Sequence, residues 1–155
     1  MPRRNRPPKR IPPPDVKYGN LHVAMFINRM MRGGKKSLAT RIMYDALDAI
    51  GERTKKDPVE VFEMAIRNVA PAVEVKPKRV GGSTYQVPID VTHERGITLA
   101  MRWLIQFARD RNGRSMAEKL TNELTDAYNG QGSAIRRKDE THRMAEANRA
   151  FAHFR

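Results

Sequence analysis

The chain has 155 residues, 39% of them hydrophobic, with 30 Lys and Arg against 17 Asp and Glu, so its formal net charge is +13. That length and apolar content suit one compact domain with a core of its own, and the charge calls for a polyanionic partner, nucleic acid before an anionic membrane. No apolar run approaches the ~18 residues of a membrane span, no leader is expected, and the absence of cysteine excludes disulfides and thiolate metal sites and fits a reducing, intracellular setting.

The positive charge is concentrated at the start, where the first 44 residues hold eleven basic residues and one acid, Asp15. Residues 1–17, with six prolines and Arg3, Arg4, Arg6, Lys9, Arg10 and Lys17, carry too little apolar material to bury and read as a basic arm. Residues 18–155 read as a helical RNA-binding domain. A first helix capped by Asn20 turns Val23, Phe26, Ile27 and Met30 inward and ends at Gly33 and Gly34, with Arg29 and Arg32 on its other face. A second spans about 37–53, its apolar positions Leu38, Ile42, Ala46, Ala49 and Ile50 at helical spacing. The stripe of charge continues through Lys35, Lys36 and Arg41.

Asp57 as cap, Pro58 at the first helical position and Glu60 completing a capping box open a third helix that buries Phe62, Ile66 and Val69. The alternation of Val73, Val75, Tyr85, Val87, Ile89 and Val91 around Gly81 and Gly82 then predicts a β-hairpin over about 72–91, with Lys76, Lys78 and Arg79 at its tip. Pro77 and Pro88 make it an edge ribbon, and a lone ribbon must rest its base on helices; a plain solvated hairpin is the alternative. Thr92 caps a fourth helix, with Ile97, Ala100, Met101, Leu104 and Ala108 inward and Trp103 and Phe107 beside them. Ser115 and Glu118 form a capping box for a fifth, with Ala117, Leu120, Leu124, Ala127 and Tyr128 inward. A sixth, about 133–148, has little to bury alone and reads as an interface element. The fold class is mainly α: about six helices and a protruding two-stranded hairpin.

Chemistry-bearing constellations are absent. Gly34-Lys35 looks like the end of a phosphate-binding loop, but Arg29 stands where that motif needs its first glycine. The four histidines are scattered, with only His142 and Glu146 at i, i+4 spacing, and Ser115 is explained as a cap. No cofactor, metal or enzymatic activity is expected. Arg109, Arg111 and Arg114 at the turn between helices four and five, and Arg136, Arg137 and Lys138 opening the sixth, are basic clusters that engage several RNA segments together with the arm. A helical DNA-binding regulator would leave the hairpin unexplained, and a nuclease would need catalytic groups.

Arg79-Val80-Gly81-Gly82-Ser83-Thr84-Tyr85-Gln86-Val87-Pro88 resembles a signature of the universal small-subunit ribosomal protein seven family. Gly33 to Ala39, Leu99 to Leu104 and Arg143 to His153 agree with it in order and spacing, from about Tyr18 onward. The resemblance implies a structural constituent of the small ribosomal subunit, in the cytoplasm or a plastid stroma, that binds the 3′ major domain of the rRNA and nucleates head assembly. It places Lys35 and Lys36 on the RNA face. It also implies that Lys76, Lys78, Arg79, Val80, Gly81, Gly82, Ser83 and Thr84 approach the exit-site tRNA and the mRNA. The C-terminal region, with Arg136, Arg137, His142, Arg149 and Phe151, would meet partner proteins, among them ribosomal protein eleven and later head proteins. Some bacterial members also repress their own messenger.

Overall fold

The computed structural model describes residues 10–154, with six helices in the order α1 (Leu21–Met30), α2 (Lys36–Thr54), α3 (Pro58–Val69), then β1 (Val73–Val80) and β2 (Ser83–Asp90), then α4 (His93–Asp110), α5 (Met116–Tyr128) and α6 (Ser133–Ala147), and a closing 3-10 helix, Arg149–Phe154. The local signals act where expected. Asn20 accepts the amide of Val23, Asp57 that of Val59 beside Pro58, and Ser115 that of Glu118. Three expected caps differ in detail: Asp57 bonds the Val59 amide with no return bond from Glu60, Thr92 makes no side-chain cap bond, and Glu118 reaches back to the Arg114 amide, one residue before the capping serine.

Helix α4 is the axis of the body, buried at Ile97, Leu99, Ala100, Met101, Trp103, Leu104, Ile105 and Ala108. Helix α5 packs against α2, α3 and α4, and a T-shaped pair of Phe26 and Phe62, 5.4 Å between centroids, joins α1 to α3. The buried face of α2 is Ala39, Met43, Ala46, Leu47 and Ile50, one residue round from the expected stripe. Leu38 is 49% exposed and Ile42 half-buried, because α2 is polar enough elsewhere that its stripe is ambiguous by one position, and packing against α1, α3 and α5 selects the set with Met43 and Leu47. Ala117 and Tyr128 of α5 are likewise half-buried, and the fully buried additions are Thr121 and Glu123.

The strands pair antiparallel from Val73 opposite Asp90 to Val80 opposite Ser83, closed by Gly81 and Gly82 at φ +57 and +89, the two positive values a two-residue I′ turn requires. Because cross-strand partners share a face, this register puts Val73 and Val75 with Pro88 on one face and Tyr85, Val87 and Ile89 with Glu74 and Lys76 on the other. The ribbon's base is therefore packed on both sides, by α6 and the 3-10 helix, while residues 76–79 and 81–84 are exposed. Helix α6 is docked as well: Ala134, Ile135, Thr141 and Ala145 are buried, and Lys138 donates to the Asn68 carbonyl at 2.8 Å.

Candidate nucleic-acid interface

Four arginines converge between α1 and α4. Arg29 donates to the Thr98 carbonyl at 2.8 Å and Arg109 to the Met30 carbonyl at 2.9 Å, which ties the two helices together and half-buries both guanidinium groups. Arg32 and Arg102 stand exposed beside them, and the four line an open cleft of about 350 Å³ with Gln106, Ile105 and Asp110. Burial, and then the neighbouring Arg102, lowers the pKa of Arg29; burial, and then Arg32, lowers that of Arg109. The cations thus crowd one another with Asp110 as the carboxylate in the lining, a field that an arriving polyanion relieves. Arg102 was not among the sequence candidates, yet Arg95, Arg102 and Arg109 recur at seven-residue spacing on α4, which keeps them on one side of the helix.

Gln106 also lines a second cleft of about 520 Å³ with Trp103, Phe107, Ser133, Arg136, Arg137 and Glu140, so the face continues from α1 across α4 to Arg136 of α6, while Arg137 bonds Glu140 at 3.4 Å. At its other end Lys35, Lys36 and Arg41 are exposed around Gly33 and Gly34, whose φ values of +60 and +73 turn the chain sharply, and no side chain caps the first turn of α2. Arg10 is exposed, and with Ile11 and Pro12 it lines a groove shared with Leu21, Met25 and Thr98. Thr98 is also the carbonyl held by Arg29, so the end of the arm leads to the arginine cleft. Asp15 pins it to the body, accepting the Tyr44 hydroxyl at 2.8 Å, and Lys17 bonds Asp48 at 2.7 Å while lying over the rings of Tyr18 and Tyr44. The hydrogen bond to Asp48 raises the pKa of Lys17 and lowers that of Asp48. Arg3, Arg4, Arg6 and Lys9 lie outside the described residues.

Other candidates are occupied elsewhere. Arg111, expected to face RNA, turns inward to Glu123 at 2.6 Å and to Asp126. Burial works to lower its pKa, but the hydrogen bonds to Asp126 and Glu123 outweigh it and the net shift is upward. Glu123 is fully buried, and its second oxygen accepts the Ala134 amide at 3.0 Å, so this trio fixes the start of α6. Arg114 is exposed. Lys76 is not a tip residue: it lies opposite Val87 and bonds Glu74 at 3.1 Å, a carboxylate that also accepts from Nε and one terminal nitrogen of Arg95, at 2.7 and 2.6 Å. Lys78, Arg79, Gly81, Gly82, Ser83 and Thr84 form the exposed tip, with Val80 half-buried.

Of the C-terminal candidates, His142 faces inward, its Nε2 accepting the Ala72 amide at 3.1 Å instead of pairing with Glu146. Phe151 packs on Tyr85, and Arg149 makes a surface contact with Glu146 at 3.3 Å. Among the described residues no group of His, Cys, Asp or Glu is placed to hold a metal ion, and no helix is long and apolar enough to cross a membrane.

A family profile for ribosomal protein S7p/S5e matches residues 2–149. The chain belongs to that family. It is similar to the small ribosomal subunit protein uS7 of Acaryochloris marina, 62% identical over 155 residues that span 100% of this chain and 99% of the relative. The uS7 proteins of a Synechococcus strain and of Arthrospira platensis are 61% and 60% identical over the same shares. S7p/S5e proteins are structural components of the ribosome and not enzymes, in keeping with the helical body and basic face described above. The matched span includes the arm, which the motif resemblance from Tyr18 onward did not cover.

Proposed function

We propose that this chain binds the 3′ major domain of small-subunit rRNA and organises the head of the subunit. The arginine cluster of Arg29, Arg32, Arg102 and Arg109, continuous through Gln106 with Arg136 and Arg137, carries this reading. A face that spans three helices and ends in an exposed Lys35-Lys36 loop matches several segments of a folded RNA better than one groove of a duplex. Residues 1–17 serve as a basic arm that adds phosphate contacts, and its described end is held to the body by Asp15 and Lys17. The exposed hairpin tip, by the family resemblance, reaches the exit-site tRNA and the departing messenger. The C-terminal segment supports that hairpin beside a platform protein, and the same basic face serves any repression of the chain's own messenger.

Affinity for an in vitro transcribed 3′ major domain should fall steeply with salt, because each neutralised phosphate adds about 0.7 to 0.9 to the logarithmic slope. Replacing Lys35 and Lys36 by Ala should weaken binding and reduce that slope by about 1.5, with thermal stability nearly unchanged, since both side chains are exposed. Equal affinity for duplex DNA of the same charge, or an unaltered slope in the double variant, contradicts the assignment.

A further inference from the structure

We propose that an open apolar groove between the α1–α2 loop, α2 and the start of α5 accepts an unstacked nucleobase of the RNA bound on the adjoining arginine face. The proposal rests on the RNA-binding reading above. Met30, Met31, Leu38, Ile42 and Met116 form the floor of this groove, whose volume of about 380 Å³ is in the range of small-ligand clefts. Leu38 is half exposed, and Met31, Ile42 and Met116 are only partly covered, so apolar surface that the helical body leaves open is gathered in one place. Methionine is flexible and polarisable, and the partly covered Met31 and Met116 can adjust to a flat ring.

The rim decides between occupants. Arg32, Lys35 and Arg109 surround the floor, and no carboxylate lines the groove. Beside it the first turn of α2 has no side-chain cap; the Lys36 amide is taken by the Gly34 carbonyl and that of Ala39 by Lys35, which leaves the amides of Ser37 and Leu38 to face a phosphate. A ligand matched to this arrangement has a flat, largely apolar part and negative charge within one nucleotide's reach. Arg32 and Arg109 also line the arginine cleft, so a strand lying there can turn one base into the groove without leaving the cationic face. Folded RNA offers such bases in its loops and bulges, where they are splayed from the stack. An acidic amphipathic peptide would satisfy the charge, but it is not the polyanion that this continuity calls for.

The test uses the full chain, the transcribed 3′ major domain, and the uncharged variants Leu38→Gln and Leu38→Gln with Ile42→Gln. Leu38 is 49% exposed, so the single variant should melt close to the parent chain; Ile42 is half-buried against the core, so the double variant should melt lower and its affinity is read per folded molecule. The expected result is a Kd raised about tenfold, as loss of one base contact predicts, with an unchanged salt slope because no phosphate contact is removed. The Lys35→Ala and Lys36→Ala variant should instead flatten the slope. With RNA carrying 4-thiouridine, ultraviolet crosslinks on the parent chain should map to residues 30–42 and disappear in the double glutamine variant. Unchanged affinity in both glutamine variants, with no crosslink in that segment, overturns the proposal and leaves the groove to a protein partner while the arginine face stands. Failure of the parent chain itself to bind this RNA overturns the broader reading as well.

Discussion

Tyr85 of β2 and Phe151 of the closing 3-10 helix lie with ring centroids 5.2 Å apart and planes tilted by 47°. This pair fastens the end of the chain to the hairpin, whose own two strands would be marginal without support. On the same face of the ribbon, Glu74 bonds Arg95 at the start of α4. These two contacts, together with α6 packed against both strands, hold the base from which the tip projects.

Phe151→Ala should loosen the hairpin and leave the core intact. An aromatic pair of this kind contributes about 0.5–1.5 kcal/mol beyond its buried area, so hairpin amides should exchange roughly threefold to tenfold faster. Amides of α4 around Leu104 should be unchanged. Hydrogen exchange followed by mass spectrometry reads both; equal exchange in parent and variant would mean that the hairpin stands without this contact.

Acid should act on the hairpin base through Glu74. Its hydrogen bond with Arg95 holds the carboxyl below its ordinary value, burial opposes that, and Lys76 assists. Because the folded-state pKa lies below the unfolded one, the stabilisation is complete above the unfolded value of about 4.3 and is lost as pH falls through the folded one. Glu74→Gln should therefore lose less stability than the parent on acidification below about pH 4.3. Parallel denaturant titrations at stepped pH compare them, and identical pH profiles would remove Glu74 from the acid response.

Arg111→Ala should damage folding and spare recognition. It leaves Glu123, which is fully buried, without its cation, and Arg111 itself is only 26% exposed. Breaking a buried pair costs about 3–5 kcal/mol, and the partial exposure of Arg111 puts this variant at the low end. The melting temperature should drop by several degrees, while RNA affinity per folded molecule stays constant. Arg102→Ala should give the converse: normal melting and weaker binding. Equal effects of the two variants on affinity would return Arg111 to the RNA face.

Deleting Arg79 to Ser83 and closing the ribbon with a short turn should separate binding from function. The tip contributes few of the chain's cations, so assembly of the head should proceed with little loss. Retention of exit-site tRNA or maintenance of the reading frame in the assembled subunits should change instead. Subunits that assemble poorly but translate normally once formed would make the hairpin an RNA anchor only.

What the sequence determined by itself was everything set by neighbours along the chain. Caps and turns depend on a few adjacent residues, so Asn20, Asp57, Ser115 and the Gly81-Gly82 turn could be read directly, and a strong helical stripe such as that of α3 could be placed at Phe62, Ile66 and Val69, with Val61 and Ala65 completing the buried face. The basic composition pointed to a polyanion for the same reason: charge adds up without regard to fold. Tertiary structure alone decided which cations remain available. Arg109 and Arg111 are two residues apart and alike in sequence, yet one reaches α1 and the cleft while the other closes on a carboxylate of α5. Leu38 and Leu47 both belong to α2, but only the second is buried once α2 packs against its neighbours. Pairing across elements is a property of distance in space, and local pattern carries no record of it, which is why the basic face proposed for RNA became visible only once the helices were packed.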